Sequence, residues 1–123
     1  MLKSGAAHLE SLRDGRVVYI GSERVDDVTT HPAFRNAARS IAAIYDMKRA
    51  PEHLAASTFE ENGKRYAAYY LRARTKADLE QRLALHRRIA NLSYGMLGRS
   101  PDHVSSFVAG MSTAPEVFGR FAM

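Results

Sequence analysis

Cysteine is absent from the 123 residues, and that one absence removes disulfide scaffolds, thiolate zinc sites, cysteine-ligated iron–sulfur clusters and cysteine nucleophiles together. None of the five histidines stands at a metal-ligand spacing. The first residues, Met1-Leu2-Lys3-Ser4-Gly5-Ala6-Ala7-His8, lack an apolar core of signal-peptide length, and no stretch approaches the roughly 20 apolar residues of a membrane span. Repeats, low-complexity tracts and linkers are missing too. The expectation is a cytoplasmic protein without a membrane segment, compatible with a reducing compartment.

What is present suffices for one core: 46% of the residues are hydrophobic, and the length suits one domain over residues 1–123. A formal charge of +5 and a pI near 9.8 raise a nucleic-acid reading. Its position argues against it. Arg72, Arg74, Lys76, Arg82, Arg87 and Arg88 are interrupted by Asp78 and Glu80, and no aromatics interleave as a base-stacking platform requires. A solvated helix face is the plainer account.

Local chemistry predicts a mainly α chain with small hairpins. Ser4 caps a first helix running to about Asp14, with Gly15 at its end. Arg16 to Ile20 and Glu23 to Val25 form strands around a Gly21-Ser22 turn. Thr30, with Pro32 in the first turn, starts a helix whose apolar stripe is Phe34, Ala38, Ile41, Ile44 and Tyr45, closed at Ala50-Pro51. A second hairpin turns at Asn62-Gly63 between Thr58-Phe59-Glu60 and a strand from Arg65 to Leu71, where Tyr66, Tyr69 and Tyr70 pack. Thr75 and Asp78 open the longest helix, which carries Leu79, Leu83, Leu85, Ile89, Leu92 and Met96 and ends at Gly98. Ser100-Pro101 begins another with Val104, Phe107, Val108 and Met111, and Ala114 to Met123 reads as a further helix with Val117, Phe118 and Phe121 unpaired.

Arg99 stands between two helices, beside the partial positive charge of the first-turn N–H groups of the second, which suits an anion. Taken alone, Arg99 capping carbonyls of the long helix and His103 filling a gap between helices is the plainer assignment. His31 shapes the turn before Pro32, His86 is solvent-facing, and His8 and His53 have no convergent partner.

The run Gly98-Arg99-Ser100-Pro101-Asp102, with Tyr94-Gly95-Met96 before it, resembles the signature of the oxygenase component family of 4-hydroxyphenylacetate 3-monooxygenase, the two-component flavin-dependent phenol hydroxylases. Glu10-Ser11-Leu12-Arg13-Asp14-Gly15-Arg16, Val25-Asp26-Asp27-Val28-Thr29-Thr30-His31-Pro32-Ala33-Phe34-Arg35, Tyr45-Asp46-Met47 and Phe118-Gly119 follow that family's N-terminal blocks in order, so the resemblance covers essentially the whole chain. It implies the N-terminal helical domain of an acyl-CoA dehydrogenase-like fold, with the middle β domain and C-terminal helical bundle absent. It also implies hydroxylation of a phenol ortho to its OH by reduced FAD, or FMN, supplied by a separate flavin reductase, in a homotetrameric enzyme.

By the same resemblance Arg99 is the arginine that contacts substrate; Tyr94, by its position on the helix leading to Arg99, is expected to line the same pocket. The position four residues after Arg99 is tyrosine in many members and His103 here. Histidine contacts the phenol oxygen elsewhere in the superfamily, so the departure bears on substrate and flavin preference more than on reaction type. A related dehydratase branch ligates an iron–sulfur cluster through cysteines, which this chain lacks. A stand-alone helical binding or scaffold domain without catalysis is the alternative from a different class.

Overall fold

In the computed structural model the described residues are 2–97 and 101–119, the side chains of residues 101 and 102 excepted. The chain groups into two compact units, residues 2–51 and 52–123.

The first unit holds α1 (Gly5–Glu10), a hairpin of β1 (Val18–Ile20) and β2 (Glu23–Val25), and α2 (Arg35–Arg49). Ser4 caps α1 by accepting from the Ala7 N–H at 3.1 Å. The helix stops at Glu10, earlier than the sequence suggests, because Leu12 and Arg13 N–H groups bond three residues back, to Leu9 and Glu10, in tight turns. Gly5 is where α1 meets α2: its N–H donates to Asp46 Oδ1 at 2.8 Å, and a Cβ there would lie 2.6 Å from the Ala42 carbonyl oxygen. Only glycine allows this approach.

The β1–β2 hairpin pairs Val18 with Val25 and Ile20 with Glu23 around the expected Gly21-Ser22 turn, Gly21 at φ +60°. Its first strand is shorter than Arg16–Ile20, since Asp14 accepts from both the backbone N–H and the guanidinium of Arg16 and holds that residue in a turn. Helix α2 starts at Arg35, five residues beyond the Thr30 cap expected from sequence. Asp27 is the cause. Its carbonyl accepts from the N–H groups of Thr30 and His31, and its carboxylate accepts from the N–H and hydroxyl of Thr29 at 2.7 and 2.6 Å. An Asx-type turn thus occupies the residues that a Thr30 cap needs. Ala38, Ala42, Ile44 and Lys48 form the buried side of α2.

The second unit contains most of α3 (Pro51–Ser57), then β3 (Thr58–Glu61), β4 (Lys64–Ala67), a 3-10 turn (Ala68–Tyr70), α4 (Lys76–Leu92), α5 (Pro101–Met111) and α6 (Pro115–Gly119). Pro51 both ends α2 and begins α3, an element the sequence reading did not anticipate; proline fits a first helical position because that N–H has no partner anyway. The second hairpin turns at Asn62 (φ 52°) and Gly63 (φ 70°), a pair of left-handed residues that twists with the strands. Its return strand ends at Ala67 rather than Leu71. Ala68 and Tyr69 are instead buried in the 3-10 turn, which packs against both α4 and α5. Leu85 and Ile89 of α4, 0% and 2% exposed, complete this core.

Two helix faces differ from expectation. On α4, Leu79 and Leu83 are exposed, so the buried seam is Leu85–Ile89 alone. On α5 the small residues Ser105 and Ala109 face inward, while Val104, Phe107 and Val108 face out. Small residues let α5 lie close to the 3-10 turn, and a larger apolar residue there would hold it away. Helix α6 is short, with Val117 and Phe118 exposed; Phe121 lies outside the described residues.

Candidate functional site

Helix α4 delivers the chain to the expected site, and it ends sooner than Gly98. Ser93 is the last half-helical residue, Tyr94 adopts φ 52° and Gly95 φ 75°. The Gly95 N–H donates to the Ala90 carbonyl at 2.8 Å and the Tyr94 N–H to Asn91 at 3.3 Å, a Schellman closure. The left-handed position usually goes to glycine. Here it falls on Tyr94, at a cost of about 1–2 kcal/mol for a side chain that is 93% exposed. A strained, outward tyrosine gains nothing from packing within this unit.

Of the three residues expected at the site, Arg99 lies outside the described residues, as do Gly98 and Ser100. His103 is on the first turn of α5 and exposed. Among the described residues no hydrogen bond or ring contact joins Tyr94 to His103. What is fixed around them is α5 itself: Ser105 and Ala109 are buried, and Ser106 Oγ approaches His86 Nε2 of α4 at 3.4 Å. His86 is therefore half-buried between helices instead of solvent-facing.

The other histidines sort as follows. His31 accepts from the Ala33 N–H through Nδ1, so Nε2 carries the proton and donates to Glu23 at 3.2 Å, and the residue shapes its turn as expected. His8, read from sequence as lacking a partner, stacks on Tyr45 at 4.7 Å. No local pattern reveals this, because the contact joins α1 to α2 across 37 positions.

Open clefts occur within each unit. One of about 310 Å³ is lined by Leu12, Arg13, Arg24, Asp26 and Asp27 among others. Another, about 260 Å³, lies between Phe59, Tyr70, Arg72 and Asp78, and a third, about 240 Å³, is lined by Arg72, Arg74 and Thr113. Arginines and carboxylates at the surface do not make a slot for a planar flavin ring. No group of three or more His, Asp or Glu among the described residues is placed to hold a metal, and no described helix is long and apolar enough to cross a membrane.

Comparison with known proteins places this geometry. The family described as 4-hydroxyphenylacetate 3-hydroxylase N terminal matches residues 4–122. The 4-hydroxyphenylacetate 3-monooxygenase oxygenase component of Thermus thermophilus is 39% identical over 99% of this chain and 26% of its own length. The oxygenase component of 4-nitrophenol 2-monooxygenase from a Rhodococcus species is 44% identical over 96% of this chain and 23% of its own. A crystal structure of a 4-hydroxyphenylacetate 3-monooxygenase oxygenase component, complexed with FAD and 4-hydroxyphenylacetate, superposes with a TM-score of 0.90 at 36% identity, covering 97% of this chain and 25% of that one. That protein has an acyl-CoA dehydrogenase-like fold. The chain thus spans about a quarter of the length of these relatives. With the match running through both hairpins, every helix and the turn that carries Tyr94, the chain belongs to the family of 4-hydroxyphenylacetate 3-hydroxylase N-terminal segments.

Proposed function

We propose that this chain is the N-terminal helical domain, residues 1–123, of a cytoplasmic two-component aromatic monooxygenase that hydroxylates a phenol such as 4-hydroxyphenylacetate ortho to its OH. The observation that carries the reading is the likeness to an oxygenase structure holding both FAD and that phenol, with a TM-score of 0.90 over 97% of the chain. Relatives named for 4-hydroxyphenylacetate and for 4-nitrophenol support the phenol as the common part of the substrate. The cofactor in this reading is reduced FAD, delivered by a flavin reductase and held by a middle β domain and C-terminal bundle outside this chain, in a tetramer. It supplies the activated oxygen.

The residues of this segment act on the phenol. Ortho attack is easier from the phenolate, whose charge raises electron density at the ring carbon. A tyrosine-like phenol has a pKa near 10 and a free imidazole near 6.5, so full proton transfer between them costs about 5 kcal/mol. A guanidinium within about 4–6 Å lowers the phenol's pKa by one to three units but also disfavours imidazolium, so the pair acts through charge and hydrogen bonding rather than by full proton transfer. Arg99 takes this role, and His103 hydrogen-bonds the phenol oxygen and orients it. Tyr94 contributes a wall of the same pocket.

In an oxygenase carrying this segment, His103→Ala is expected to lower hydroxylation about 100-fold while reduced flavin continues to be consumed, so that hydrogen peroxide replaces catechol as product. Unchanged catechol yield with unchanged peroxide release contradicts the assignment of His103.

A further inference from the structure

We infer that Phe107 is a specificity-determining residue, which presents its ring to the aromatic ring of the phenolic substrate; this rests on the preceding reading of His103. Buried contacts fix how α5 is set about its own axis. Ser105 and Ala109 are 8% and 6% exposed, packed toward the 3-10 turn, and Ser106 on the flank meets His86 of α4 at 3.4 Å. These contacts leave one rotational setting for the helix. His103 and Phe107, four residues apart, then lie one above the other on the outward side, with Cβ atoms about 6 Å apart.

Phe107 is 63% exposed, which no packing need of this unit explains. The four residues from His103 to Phe107 rise about 6 Å along the helix, room for one aromatic ring beside the two side chains. A phenol whose oxygen meets His103 therefore lays its ring toward Phe107. Gly110, on the same flank, adds no side chain to cover that ring, and a Cβ built there meets nothing. Val104 and Val108 lie on the other side of Phe107 and are equally exposed at 62% and 55%. They are aliphatic and do not extend the line from His103. Offset or edge-to-face contact of two rings adds to simple apolar burial, so an aromatic residue at this position selects planar aromatic substrates over saturated ones.

The test uses the complete oxygenase carrying this segment, with 4-hydroxyphenylacetate as the probe. Phe107→Ala is expected to raise KM for the phenol about 10-fold or more, with a smaller change in kcat, and Phe107→Leu to do nearly the same although it keeps an apolar side chain. Phe107→Tyr keeps the ring and is expected to stay within about 3-fold of the parent. Should the alanine variant not fold, the leucine and tyrosine variants decide the matter. The inference is overturned if Phe107→Leu matches the parent in KM, or if all three variants lose melting temperature without moving KM. Arg99→Ala serves as the reference: if it raises KM while the Phe107 variants do not, only the role of Phe107 has failed. If it too leaves phenol binding and turnover unchanged, the site itself has been misplaced.

Discussion

His8 lies with its imidazole plane 20° from the Tyr45 ring, and the Lys48 ammonium sits 4.4 Å from the centroid of that same ring. Burial first, then the charges of Lys3 and Lys48, lower the His8 pKa below its usual 6.5. The fold thus favours neutral imidazole. Since the unfolded chain takes up the proton more readily, the stability that this arrangement contributes is full above about pH 6.5 and is lost as pH falls below it. The melting temperature should drop between about pH 7.5 and pH 5, and His8→Phe, which keeps the stacking without a titrating group, should flatten that drop. Equal slopes for parent and variant would show that another group controls it. The depressed carboxylates act in a lower window: hydrogen bonds from Arg16 hold Asp14 near 2, and hydrogen bonds from Thr29 lower Asp27. Their contribution persists until pH falls through those depressed values.

At the scale of single elements, caps decide where helices begin and tertiary contacts decide which side turns inward. Thr75 Oγ1 accepts from the Asp78 N–H at 3.2 Å while the Asp78 carboxylate accepts from the Thr75 and Arg74 N–H groups, both at 2.8 Å. Thr75→Ala removes half of this reciprocal pair and should cost about 1 kcal/mol in urea unfolding, with Thr75→Ser recovering most of it. This box was legible in the sequence, as were the Gly21-Ser22 and Asn62-Gly63 turns and the stop at Pro51, because each depends on the chemistry of a few adjacent residues. The inward side of α5 was not. Periodicity finds the stripe of Val104, Phe107 and Val108, yet the helix buries Ser105 and Ala109 against a 3-10 turn that local propensity reads as a strand. The end of α4 was missed for a related reason: Gly95 is a natural left-handed residue, but the closure puts Tyr94 there first. For the candidate site, the resemblance to a family supplied the roles of Arg99 and His103, Tyr94 followed from its place on the stretch leading to Arg99, and the geometry adds the exposure of Tyr94 and His103.

At the scale of the molecule, the chain presents large apolar side chains that its own cores do not use. Val104, Phe107 and Val108 on α5 and Val117 and Phe118 on α6 are all 45% exposed or more. In the relatives, a segment of this kind is about a quarter of the polypeptide. On its own, the 123-residue chain is expected to self-associate; sedimentation equilibrium should show mass above that of the monomer, rising with concentration, and a monomer throughout would contradict this. For Arg99 the most direct measurement is the hydroxylation rate of a complete oxygenase carrying this segment, with Arg99→Lys and Arg99→Ala beside the parent. If the guanidinium stabilises the phenolate, alanine should cost about 100- to 1000-fold in rate, lysine less, because it keeps the charge and loses only the planar fork. Parent rates in both variants, with melting temperatures that fall, would show instead that Arg99 only joins two helices.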